Sequence, residues 1–246
     1  MSNFNKLLSV VLSLLIMLSI CACGEFETGS DIVSEISSEN KKTVVSGDEN
    51  DAPIMSSDRV MSKYFDISLF DEENYADIYL GKKFKIDSEY IGKAFKVPAT
   101  IDDMKKIGFD LCEGNTYDEN SLVFSYETIE TVLKNKNGVS VKAWFYNSSK
   151  SSKKLKECNI VKFLITNDFY KNAEKHTEFN VNGITNTMAI TDVINTLGTP
   201  SHFYAVSKNL YYLDYFISED DRRNGITVYI NPVEDNIVSI EFSYYK

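Results

Sequence analysis

Residues 187–198 read TMAITDVINTLG, and Thr199-Pro200 leads from them into a run rich in aromatic and β-branched side chains. Within this stretch Ile190, Val193, Ile194 and Leu197 recur at i, i+3, i+4 and i+7, the spacing of one apolar face on a helix. Thr187 offers a capping hydroxyl, and Gly198 with Pro200 close behind supplies a stop. An apolar helix face has to pack on something, and the chain downstream is strand material at 203–206, 210–217, 226–230 and 237–244. The last of these is the most legible. Val238, Ile240 and Phe242 alternate with Ser239, Glu241 and Ser243, as a half-buried antiparallel strand requires. A loop at 219–225 and a turn at Asn231-Pro232 separate the strands.

The same grammar recurs upstream. Thr100 and Asp103 stand at capping-box positions, Ile101, Met104 and Ile107 form an inner face, and Gly108 ends the helix. Residues 102–108 (DDMKKIG) align without gaps on 192–198 (DVINTLG). Strand patterns follow at 122–124, 128–133, 139–146 and 160–165, with Asn137-Gly138 as a hairpin turn. The expected fold is therefore α+β: short helices packed on antiparallel β-meander sheets, in two tandem helix-plus-meander units at 58–175 and 176–246.

Asn182-Gly183-Ile184-Thr185, the helix, Leu197-Gly198-Thr199-Pro200 and the closing Val238-Ser239-Ile240 together resemble the modules of the β-lactamase inhibitory protein and of small outer-membrane lipoproteins of the SmpA/OmlA type. The resemblance covers residues 182–246. It implies a helical pair on an antiparallel sheet that binds protein partners rather than catalysing a reaction. The residues with which the inhibitor grips its enzyme are not recognisable, so inhibition of a β-lactamase is not implied. The whole chain also is similar to lipoproteins of low-GC Gram-positive bacteria.

That likeness rests on the N-terminus. Lys6 precedes an apolar run, 7–20, interrupted only by serines, which reads as a signal segment rather than a permanent span. The run ends in Ile20-Cys21-Ala22-Cys23-Gly24, which resembles a lipobox with the small residue Ala22 before the modified cysteine. The resemblance implies removal of residues 1–22, a diacylglycerol on the Cys23 thiol, and attachment to the outer face of a cell membrane through that lipid. Residues 25–57 carry eight acidic side chains against Lys41 and Lys42, with seven serines and no aromatic after Phe26, so 23–57 reads as a solvated acidic tether.

Composition removes some functions and leaves others open. With 43% hydrophobic residues the chain can bury a full core. Its net charge of -10, which becomes -11 once Lys6 is removed, argues against a nucleic-acid partner. His176 and His202 are the only histidines, and neither sits in a metal or hydrolase motif. The acidic groups Asp71, Glu72, Glu73 with Asp77, and Glu219, Asp220, Asp221 lack the spacing of a calcium loop, and Arg222 and Arg223 make the second a charged hairpin tip. No enzyme, metal or cofactor is expected. Cys112 and Cys158 form an even pair that either bridges, as an exported domain permits, or stays as two buried thiols. The residues singled out for contact are aromatic. Trp144 and Tyr146 share a strand face with Lys142, and Tyr211 and Tyr215 share one on a strand that is apolar on both sides. These four are the candidate surface for an envelope or extracellular protein, with a glycan or small ligand as the alternative and a carboxylate-dependent hydrolase third, unless the helices, the other repeat or the segment 64–80 cover the rings, as large aromatics usually are covered.

Overall fold

The computed structural model describes residues 57–71, 74–167 and 178–245. Cys23, the signal and nearly all of the tether, and His176 lie outside them. Residues 57–112 and 117–245 form one compact unit, and the turn at 113–116 belongs to another. Among the described residues no helix is long and apolar enough to cross a membrane.

The fold is α+β and dominated by one antiparallel sheet of eight strands. In chain order the strands are β1 (Ser88–Tyr90), β2 (Lys93–Phe95), β3 (Phe109–Leu111), β4 (Leu122–Val123), β5 (Thr128–Asn135), β6 (Ser140–Tyr146) and β7 (Lys153–Lys154). They continue with β8 (Asn159–Thr166), β9 (Phe179–Val181), β10 (Ile184–Thr185), β11 (His202–Ser207), β12 (Leu210–Ser218), β13 (Asp221–Asn231) and β14 (Asn236–Ser243). The helices are α1 (Ser57–Met61), α2 (Ile101–Lys106) and α3 (Ile190–Leu197). The large sheet runs β11-β12-β13-β14-β8-β6-β5-β3, and a second sheet runs β10-β9-β1-β2.

Both orders have the same internal symmetry. A first half supplies hairpin β1–β2, α2 and four strands, and a second half supplies hairpin β9–β10, α3 and four strands. Their last strands, β8 and β14, pair with each other, and so do the hairpin strands β1 and β9. The two units expected in tandem are thus fused into one continuous sheet with a shared core. Phe163 of β8 lies opposite Phe242 of β14 and also stacks edge-on against Phe95.

Helix α2 starts as its sequence demands. The Thr100 hydroxyl accepts from the Asp103 N–H, and the Asp103 carboxylate accepts from the Thr100 N–H. Helix α3 does not. Thr187 is not its cap; its hydroxyl meets that of Thr185 instead. The cap residue is Ala189, which has no side-chain acceptor, and the Ile190 N–H donates at 3.0 Å to Asp235 in the β13–β14 turn. Ile190 and Val193 are buried, with Ile194 and Leu197 packed at the edge of the core, as the periodicity requires.

Two details depart from the alternation read in the sequence. Strand β13 begins at Asp221 rather than after 225, so the expected loop shrinks to a turn and both arginines stand on a strand. In β14 the register shifts where Tyr229 pairs Ser239 and Ile230 pairs Ile237; this bulge puts Ile237 in the core and leaves Val238 half-buried.

Candidate functional site

Alternation gives the large sheet two unlike faces. The inner one carries Ile129, Leu133, Phe145, Leu213, Val228 and Ile240, all buried beneath the helices and the small sheet. The outer one carries charges and rings in adjoining rows. One row runs His202–Asp214–Thr227–Glu241–Leu164–Lys142–Val132 from β11 to β5. The next runs Phe216–Gly225–Ser243–Lys162–Trp144–Glu130.

Charges on this face are paired across strands. Glu130 and Lys142 are 3.0 Å apart, Lys162 and Glu241 3.1 Å, and His202 Nδ1 and Asp214 Oδ2 2.6 Å. The Lys162–Glu241 pair is about four-fifths shielded, with side chains 21% and 18% exposed. Burial pushes the Glu241 carboxyl above its ordinary range, and the Lys162 ammonium beside it offsets only part of that rise. The same ammonium lies 4.0 Å over the Trp144 ring, so one face of the indole is already occupied.

His202 is held on every side that the described residues reach. Asp214 orients it and accepts a second hydrogen bond from the Thr227 hydroxyl at 2.5 Å. Tyr75 stacks on the imidazole at 4.5 Å, and Arg222 caps Tyr75 in turn at 4.0 Å. Among the described residues the Asp214 carboxylate is the side chain that hydrogen-bonds the imidazole, and no hydroxyl or thiol does. No group of three or more His, Cys, Asp or Glu could hold a metal among them either.

Beside this column lies a half-open cleft of about 500 Å³. Its floor exists because two short residues stand side by side: Gly225 pairs with Ser243 between the bulkier Phe216 and Lys162. Gly225 has φ 150°, and a Cβ there would stand 2.0 Å from the Tyr215 carbonyl oxygen, so no other residue fits. Tyr126, Tyr146 and Tyr245 form the wall, Tyr146 and Tyr245 meeting edge-on at 5.6 Å, with Arg222 and Arg223 on the rim.

Of the four residues singled out from sequence, Trp144 and Tyr146 are on this outer face and half-buried. Tyr211 and Tyr215 are not surface residues. They point inward at 2% and 1% exposure, and the Tyr215 hydroxyl donates to the Gly198 carbonyl. Strand β12 is apolar on both sides, so its own pattern leaves its facing open. The pairing of Tyr211 with Ile230 and Leu213 with Val228 sets it, and sends Tyr212 and Phe216 outward instead. No bridge joins Cys112 to Cys158. Cys112 follows β3 and Cys158 precedes β8, three strand steps away in the sheet, or ~14 Å. A disulfide reaches about 7 Å between Cα atoms.

Sequence reasoning missed the flap made by β4 and β7. There Leu122, Phe124 and Tyr126 are 58%, 63% and 56% exposed, three large apolar side chains at every second residue. Asn147, 1% exposed, fixes them by donating to the carbonyls of Val123, Phe124 and Ser151. An asparagine directly after a strand was the one signal, and alone it says only turn.

No family model, curated protein or solved structure matches this chain.

Proposed function

We propose that the chain is a binding module, held on the outer face of a cell membrane by a lipid on Cys23, which engages an envelope or extracellular protein through the outer face of its large sheet. The observation that carries this reading is the chemistry of that face. Trp144, Tyr146, Tyr204, Tyr212 and Tyr229 offer ring area at small entropy cost around charges already paired with one another. Binding over these pairs leaves none of their charges uncompensated. The plan of hairpin, helix and four strands, repeated and fused at the last strands, has one helix per half among the described residues where the resemblance to the β-lactamase inhibitory protein and SmpA/OmlA-type modules implies a helical pair. It carries no particular partner over.

A glycan or small ligand in the cleft is the second reading, favoured by a volume of about 500 Å³ and by its three tyrosines. Capture of proteins from the native envelope by the full chain, with Trp144→Ala/Tyr146→Ala beside it, separates the two. A protein retained by the wild type and lost from the folded variant is expected; equal retention by both, or retention of nothing, turns the question to ligands of the cleft.

A further inference from the structure

Resting on that protein-binding reading, we propose that the cleft and the flap beside it take one kind of occupant: an extended, acidic stretch of a partner polypeptide that also carries large apolar side chains.

Inside the cleft Glu241 and Lys162 cancel each other at 3.1 Å. Arg222 and Arg223 are exposed on the rim, and among the described residues neither forms an ion pair. The acidic neighbours do not neutralise them there. Glu219, Asp220 and Asp221 line no part of the cleft, and among the described residues none of them lies within ion-pair distance of either arginine. The unbalanced charge facing the cleft is therefore positive, on a chain whose net charge is -10. Both guanidiniums are also steadied by rings, Arg222 over Tyr75 at 4.0 Å and Arg223 over Tyr245 at 5.6 Å. A planar fork held in place loses less freedom when it takes a carboxylate.

The flap argues for a polypeptide rather than an acidic polysaccharide. Leu122, Phe124 and Tyr126 form an exposed apolar track along β4 and the tight turn that follows it, and Tyr126, its last member, is also a wall of the cleft. A glycan can stack on tyrosine but gains little from Leu122 and Phe124, whereas a polypeptide brings large apolar side chains that bury against all three. The track is rigid before anything binds. Asn147 pins its carbonyls, and Tyr126 is held at φ 60°, a left-handed conformation that a bulky residue adopts only where its surroundings impose it. A preorganised strip of exposed rings beside unpaired arginines is suited to recognition, since little ordering remains to be done on binding.

Random peptides displayed on phage, selected on the full chain, test this directly. Enrichment of peptides alternating Asp or Glu with Phe, Tyr or Leu is expected. Their affinity should fall about tenfold or more in Arg222→Glu/Arg223→Glu and in Phe124→Ala/Tyr126→Ala, should fall less in Arg222→Lys/Arg223→Lys, which keeps the charge and loses the planar forks, and should weaken with salt. Unchanged melting of each variant confirms that folding is intact. Enrichment of basic or neutral peptides, peptides indifferent to these variants, no enrichment at all, or binding of polygalacturonate in place of any peptide would each overturn the assignment. If envelope proteins are still captured through Trp144 and Tyr146 in such a case, the protein-binding reading stands and only this occupant of the cleft falls.

Discussion

The two halves of the large sheet share a plan and differ in what they add to it. In the second half β11 to β14 follow one another in space as in sequence, with almost nothing between them. In the first half the chain leaves the sheet twice, between β3 and β5 and between β6 and β8, and the two excursions pair as β4 and β7. The direct half provides Gly225 and the rim arginines; the interrupted half provides Trp144, Tyr146 and the flap. The difference teaches that the repeat builds the scaffold, while the departures from it build the surface. The helices follow a similar division: α2 is capped by its own neighbours, α3 partly by its own Asp192 and partly by a turn from across the fold.

Substitutions in the seam, the sheet face and the caps separate what the two halves share from what each adds. The largest effect is expected at the seam. Phe163→Ala removes a ring that touches Phe95 of one half and Phe242 of the other. It should cost about 3–5 kcal/mol, and urea unfolding should remain a single transition. Two separated transitions would mean that the halves fold independently.

Next is Lys162→Met, which leaves the shielded Glu241 without its cation and should cost about 2–3 kcal/mol at neutral pH. Because the folded Glu241 already holds its proton more tightly than an unfolded glutamate, the native state takes up that proton first as the solution is acidified. The deficit of the variant should shrink as pH falls and grow as pH rises through the folded value. Denaturation at a series of pH values checks this, and a deficit independent of pH would contradict it.

Smaller effects test the two caps. Thr100→Ala and Asp235→Ala should each cost about 1 kcal/mol, although one acts within its helix and the other across the fold. The bonds from Lys106 and Thr100 hold the Asp103 carboxyl down to about 2, so the local cap should persist in acid until near that pH. Last is Arg222→Glu/Arg223→Glu, exposed on the rim, which gives up two ring contacts of about 0.5 kcal/mol each and should weaken peptide binding about tenfold or more.

Where a single periodicity sufficed, the sequence was readable. Helix α3 lies where Ile190, Val193, Ile194 and Leu197 predict it, helix α2 where Thr100 and Asp103 do, and β5, β6, β8, β12 and β14 fall within a residue or two of their alternating runs. The short hairpins β1–β2 and β9–β10 were not readable, because three residues are too few to establish a period. Half of the candidate surface was legible. Trp144 and Tyr146 face outward because Ala143 and Phe145 alternate with them and must go inward, whereas Tyr211 and Tyr215 lie on a strand whose two sides are equally apolar.

By itself, then, the sequence determined the element types and the inner face of each amphipathic element, since period and cap chemistry are local properties of neighbouring residues. Tertiary structure alone decided that two repeats become one sheet, that Asp235 caps a distant helix, and that Gly225 and Ser243 meet to open a cleft. It also decided that Cys112 and Cys158 stand too far apart to bridge. Each of these depends on strand order and register, which are fixed by the energy of the whole core rather than by any window of the chain.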